Sequence, residues 1–270
     1  MSYTYGADRV AREDPLLRHR RFSYSRGMHE QNRANIRRNL ELDLGALDAE
    51  RKVENLKTLG AEPFSVVAYH NRYMSQARRA FIIGSYYPAL TAICALGERI
   101  LNHLVLGLRD QFRSTPEYKE VYRIKSLDDW RVAIETLERW KVLRPETAIL
   151  FESLRDIRND TLHFRKKLDD DERSEALRAL RLMAEIVDGQ FGILATVPWL
   201  IPCDMGIAFV RKSAEDNPFV RLVYLPSCAL VGPKHTLEWR DTRFEALDDY
   251  AYEDREITDE EFIELFKEAH

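Results

Sequence analysis

Cysteine is scarce in this 270-residue chain: there are three, Cys94, Cys203 and Cys228, an odd number at wide spacing. No C-x-x-C pair or Cys/His cluster occurs, so the sequence points to neither a disulfide framework nor a structural zinc site. Glycine and proline, 11 and 10 residues, are too few for a fibrous or low-complexity chain. No Gly-rich phosphate loop, no H-E-x-x-H, no G-x-S-x-G and no dinucleotide fingerprint is present. The seven histidines (His19, His29, His70, His103, His163, His235 and His270) include no pair at metal-ligand spacing. No metal and no cofactor is expected.

An apolar leader is missing too. The opening residues are Arg-rich and lack the hydrophobic region of a signal peptide. The most apolar stretch, 80–108, is broken by Gly84, Pro88, Glu98, Arg99 and His103, so it reads as a buried core helix rather than a membrane span. The expected setting is a reducing cytoplasm, away from membranes.

What is present is a globular composition, 45% hydrophobic and 32% charged, with charge unevenly placed. The net −4 conceals a basic start and an acidic end. Residues 1–40 hold nine arginines against four acids, and residues 245–270 hold eleven acids against two basic residues. The basic start is interleaved with Tyr3, Tyr5, Phe22 and Tyr24. That pattern suits either a nucleic-acid contact or an arm packed on its own domain or on a neighbouring subunit.

Periodicity divides the chain into four parts: a basic, mostly helical arm at 1–62, a helical bundle at 63–195, a β-rich appendage at 196–244 and an acidic helix at 245–270. In the arm, Leu44, Leu47, Val53, Leu56 and Leu59 suggest a short helix stopped by Gly60. In the bundle, Ala77, Ala80, Phe81 and Gly84 form one stripe, and Ala92, Ile93, Leu96, Ile100, Leu104 and Leu108 continue it. The segment Ser126-Leu127-Asp128-Asp129 resembles a capping box ahead of an apolar face of Trp130, Ala133, Ile134, Leu137 and Trp140. Pro145 fits the first turn of a helix whose core face would be Ile149, Leu150, Ser153, Leu154 and Ile157. The acids at 169–172 suit another helix start, running through Ala176, Leu180 and Met183 to a stop near Gly189. Beyond Pro198, the runs 206–212 and 219–225 read as a hairpin, with 228–231 as a third strand. The acidic end places Phe262, Leu265 and Phe266 on one face of a short helix.

The segment richest in chemistry is Leu154-Arg155-Asp156-Ile157-Arg158-Asn159-Asp160-Thr161-Leu162-His163-Phe164. Arg155, Asn159 and His163 fall on neighbouring turns of one helix side. Arg158 lies about 140° from His163 on an ideal helix. An Arg-x4-His pair arises by chance about 0.8 times in a chain of this composition, and requiring Asn after the Arg lowers that to about 0.02. Read alone, Arg158 serves equally as a surface ion-pairing residue, Asn159 as a local cap and His163 as a half-buried imidazole.

In context, Arg158-Asn159-Asp160-Thr161-Leu162-His163 resembles the Arg-Asn-x-x-x-His form of the HEPN domain signature. The upstream run from Ser75 through Gly84-Ser85-Tyr86 to Glu98 is similar to that family's opening helices. The resemblance spans residues 70–190 in pattern. It implies a mainly α, HEPN-like helical bundle acting as a metal-independent endoribonuclease, with the motif paired across a homodimer. RNA supplies its own nucleophile, the 2′-OH. Arg158 would hold the scissile phosphate and stabilise its transition-state charge. His163 would be general base or acid, and Asn159 would orient it or the phosphate. Arg155 is a further candidate for holding phosphate, and Glu98 a weaker one for supporting the site. Arg165, Lys166 and Lys167 could draw RNA toward the cleft or simply be solvated. Some toxin members carry a Tyr two residues after the His that a partner nucleotidyltransferase modifies. Arg165 stands there in this chain, which puts that regulation in doubt. The resemblance leaves room for a toxin or phage-defence effector with an antitoxin or regulatory partner. It equally leaves room for a catalytically silent nucleotide- or RNA-binding module, or one that scaffolds an assembly. The acidic end reads first as a solvated surface helix, and alternatively as a segment that lies against basic RNA-binding surface and competes with RNA phosphates.

Overall fold

A computed structural model describes residues 2–4, 26–162, 171–193, 197–201, 208–240 and 243–270. The chain is mainly helical, with a few short strands, and forms two compact units. One comprises residues 14–63 and 68–190. The other comprises residues 1–13, 64–67 and 191–270.

The first unit contains α1 (Arg26–Leu44), α2 (Ala49–Leu59), α3 (Ala68–Ile82), α4 (Tyr86–Leu108), a one-turn α5 (Tyr118–Val121), α6 (Trp130–Arg139), α7 (Pro145–Leu162) and α8 (Glu172–Ile186). Its centre is α4, formed by the greater part of the apolar stretch 80–108, whose first residues instead end α3. Ala89, Leu90, Ile93, Leu96, Ile100, Leu101, Leu104 and Leu108 are all buried, recurring every three or four residues around much of the helix. It packs against α3, α6, α7 and α8. By length and composition α4 could cross a membrane, yet more than half of its most apolar window is buried inside the bundle. Gly84, at φ +86°, makes the left-handed turn that separates α3 from α4.

The wide scatter of leucines at 41–60 has a simple cause: two helices, not one, with Gly45 at φ +78° between them. Leu40 and Val53 are buried with Ile82, while Leu47 lies in the turn and is exposed. The buried Lys52 ammonium donates to the carbonyls of Leu44 and Gly45, both at 2.8 Å, closing the end of α1. These helices belong to the bundle's compact unit rather than to a separate arm.

Two local expectations for the bundle need correction. The cap of α6 is Asp129, whose carboxylate accepts the Arg131 amide at 2.9 Å, and not Ser126. In α7 the buried line is Thr147, Ala148, Phe151, Leu154, Ile157 and Thr161. Of the expected face only Leu154 and Ile157 are buried, and Ile149 is exposed; the buried side instead takes in Thr147 and Thr161, the latter satisfied by its own helix through the Ile157 carbonyl.

The second unit carries an antiparallel sheet in the order β2–β3–β1–β4, from Leu200–Ile201, Phe209–Val210, Ser2–Thr4 and Ala229–Val231. Tyr3 is in register with Val210 on one side and Leu230 on the other. A separate hairpin pairs β5 (Thr236–Arg240) with β6 (Arg243–Leu247). The acidic helix α9 (Asp259–Ala269) starts at Thr258, whose hydroxyl accepts the Glu261 amide. Its Phe262 and Phe266 close a core with Ile201, Phe209 and Val231.

The expected hairpin of 206–212 with 219–225 does not form. Residues 220–227 are helical turns, and Phe209–Val210 pairs with β1 and β2 instead. The Asn217 side chain accepts the amides of Phe219 and Val220, and Pro218 fixes the next backbone angle, so the chain enters a helical turn. Burial of Phe219, Val220 and Tyr224 on one side then outweighs the β-branched composition.

Candidate active site

Arg158 projects from the last turns of α7 toward α4. Its Nη2 donates to Glu98 Oε2 at 2.9 Å, joining residues sixty positions apart. Glu98 also accepts the indole N–H of Trp130 at 3.3 Å, and the Arg158 guanidinium lies 5.7 Å from the centre of that indole ring. Trp130 is fixed from behind by Phe151, edge to face at 6.4 Å. Arg158 Nη1 makes a longer contact, 3.4 Å, to Asn159 Oδ1. The guanidinium is therefore held by a carboxylate, an indole and a neighbouring amide while its side chain stays one-fifth exposed.

Arg158 and Glu98 line a pocket of about 700 Å³ that runs along α4. Thr91, Cys94, Ala95, Arg99, Asn102, His103, Leu106 and Gly107 of α4 share its wall with Lys125, Ser126 and Thr161. Size and lining suit a small organic ligand with charged groups. Burial pushes the Cys94 thiol up to about 12, so it stays protonated and is not a nucleophile at neutral pH. Burial, with the Arg99 charge, lowers the His103 imidazole below its ordinary range, which keeps it neutral at pH 7. Among the described residues, no group of three or more His, Cys, Asp and Glu side chains is placed to hold a metal ion.

The sequence-derived candidates separate. Glu98, weighted lightly in the sequence, is the direct partner of Arg158. Asn159 touches the guanidinium but does not line the pocket. Arg155 turns to its neighbour, donating from Nε and Nη2 to Asp156 Oδ1 at 3.2 and 3.0 Å, and is not part of the pocket wall. His163, Arg165, Lys166 and Lys167 lie outside the described residues. Sequence reading passed over Arg99, Asn102, His103 and Lys125. The i, i+4 spacing of Glu98 with Asn102 and of Arg99 with His103 was the available signal.

The fold and site define a mainly α protein whose helical unit carries an arginine-bearing pocket beside its central helix. Comparison with protein-family models, curated proteins and solved structures finds no match for this chain.

Proposed function

We propose that this protein is a metal-independent, HEPN-type endoribonuclease that cleaves RNA by attack of the 2′-OH on the adjacent phosphate. The observation that carries the reading is the seating of Arg158: a guanidinium pinned by Glu98 and Trp130 in the wall of a nucleotide-sized pocket, five residues before His163. Arg158 binds the scissile phosphate and meets the charge that accumulates as a fifth oxygen bonds to phosphorus. Removal of the 2′-OH proton and protonation of the departing 5′-oxygen fall to imidazole chemistry, with His163 taking one of these roles and Asn159 steadying it or the phosphate. The P–O5′ bond breaks, leaving a 2′,3′-cyclic phosphate and a 5′-hydroxyl. The reaction places no demand on a metal, because the nucleophile is already part of the substrate. In this reading two copies pair their motifs across a cleft, the setting is cytoplasmic, and the protein is a toxin or anti-phage effector restrained by a partner. Arg165, Lys166 and Lys167 add cationic attraction for RNA.

A second reading draws on one specific observation. The Glu98 carboxylate already occupies part of the guanidinium, as expected of a module that binds nucleotides or RNA without cutting them. Incubation of the full chain with a fluorogenic RNA in EDTA distinguishes the two. Cleavage abolished by Arg158→Ala and by His163→Ala, each still folded, is the expected result. Binding of RNA by wild type without cleavage, with or without candidate activators, refutes the enzyme and leaves the binding module.

A further inference from the structure

The pocket is longer than the group around Arg158 needs. It follows α4 from Thr91 to Gly107, about 24 Å at 1.5 Å per residue, which outruns one nucleotide. Charge is divided along it. Arg158 and Glu98 neutralise one another, whereas among the described residues Arg99 and Lys125 form no ion pair with a carboxylate. Arg99 and His103, one turn apart, share a side of α4 and rest on aromatic rings of α3. The Arg99 guanidinium lies 5.4 Å from the centre of Tyr73, and the His103 ring 4.9 Å from that of Tyr69.

The segment that presents Lys125 is also secured. Asn102 of α4 accepts the Leu127 amide at 2.7 Å and donates to the Leu127 carbonyl at 3.0 Å. Arg109, just past the end of α4, donates to the carbonyls of Val121 and Ile124 at 3.0 and 2.7 Å. Two side chains thus fasten the backbone on both flanks of Lys125, whose exposed side chain lines the pocket.

We propose that Arg99, Lys125 and His103 form a second phosphate subsite, seating an RNA strand at a phosphate other than the one held by Arg158. The inference rests on the ribonuclease reading for its substrate. Arg99 and Lys125 neutralise backbone charge, and the neutral His103 ring offers a hydrogen bond or a stacking face to the adjoining nucleotide. Strand length, not base identity, is then what the far part of the pocket senses.

The test uses the full chain and a short 2′-O-methyl oligonucleotide, which lacks the nucleophile and stays intact. Its affinity is read by fluorescence anisotropy over a range of salt, with a 3′-nucleoside monophosphate as single-phosphate competitor and thermal melting to confirm folding. Arg99→Ala and Lys125→Ala each weaken strand binding and lower the slope of log affinity against log salt by about 0.7, leaving the mononucleotide unaffected. His103→Ala weakens strand binding with the slope unchanged, and Arg158→Ala weakens both ligands. The exposed Lys119→Ala, outside the pocket, changes nothing. If Arg99→Ala and Lys125→Ala leave strand binding and slope at wild-type values while Arg158→Ala still weakens it, the subsite is refuted and the ribonuclease reading stands. If Lys119→Ala matches them, attraction is diffuse and the subsite is again refuted. Failure of wild type to bind any strand overturns both.

Discussion

Gly97 and Gly107 lie on the same helix, and replacing each with alanine should move stability in opposite directions. A glycine within a helix costs roughly 0.5–1 kcal/mol relative to alanine, so each substitution starts from a gain. At Gly107 the new methyl meets no atom within 4 Å, and the gain survives, at about 0.4–1 kcal/mol. At Gly97 the methyl carbon would sit 2.5 Å from Trp130 Cη2 and 3.0 Å from Leu154 Cδ2. Contact between carbons requires roughly 3.5 Å, so the indole must retreat by about 1 Å. It has little room, being 2% exposed and backed by Phe151. Overpacking of this kind costs about 1–3 kcal/mol, which exceeds the propensity gain and leaves Gly97→Ala about 1–2 kcal/mol less stable than wild type. Urea unfolding followed by helical circular dichroism measures both variants at equal m-value. Because the Trp130 indole donates to Glu98, Gly97→Ala should also loosen the seat of Arg158 and weaken RNA binding. Equal or greater stability of Gly97→Ala relative to Gly107→Ala would show that Trp130 does not press on the α4 backbone, and that the platform beneath Arg158 is misread.

Two further perturbations test the packing of each unit. His70 is 1% exposed, and burial holds its imidazole down at about 3, against about 6.5 in the unfolded chain. The unfolded chain therefore takes up the proton first as pH falls, and the helical unit should lose about 2 kcal/mol between pH 7 and pH 5 from this group. Denaturation midpoints of wild type and His70→Phe at the two pH values check it, a similar loss in both ruling His70 out. In the other unit, Phe266→Ala removes a fully buried ring that packs on Phe209 at 5.1 Å and stacks on His235 at 5.5 Å. A cost of about 3–5 kcal/mol is expected, read as faster hydrogen exchange in α9, and unchanged protection there would refute its role as an anchor.

Which parts of this protein were legible in the sequence follows from how local their causes are. The face of α6, from Trp130 to Leu137, is read correctly because nearly every apolar residue in it is buried. The acidic α9 is legible in part: Phe262 and Phe266 are buried on the expected face and Thr258 caps it, but Leu265 is only half-buried, and the helix covers 259–269 rather than the whole acidic end, whose first residues lie in β6. The α7 face is not, since burying Thr147 and Thr161 while exposing Ile149 is decided by neighbouring helices. At 219–225 a β-branched run folds helically through a cap two residues upstream, a signal that composition outweighed. The site shows the same division. Arg158 stood out through a motif, but Glu98 looked like a solvated acid on a long helix. Only the packing of α4 against α7 reveals it as the guanidinium's partner.

That partnership bears on how Arg158 can act. A guanidinium has five N–H donors and Glu98 engages it through Nη2 alone, with a weak Nη1 contact to Asn159. Donors remain for a phosphate approaching from the pocket, so the carboxylate need not be displaced. With both side chains partly exposed, the ion pair itself contributes only about 1 kcal/mol or less to stability, and its larger effect is on direction. An arginine side chain carries about 2 kcal/mol of rotamer entropy, which a phosphate binding to a free arginine would have to overcome. Glu98 and Trp130 have restricted that freedom before any ligand arrives. In the proposed reaction, the cost is a partly neutralised charge at the place assigned to the phosphate. Among the described residues Arg99 and Lys125 form no ion pair with a carboxylate, and in the proposed second subsite they supply the compensating charge.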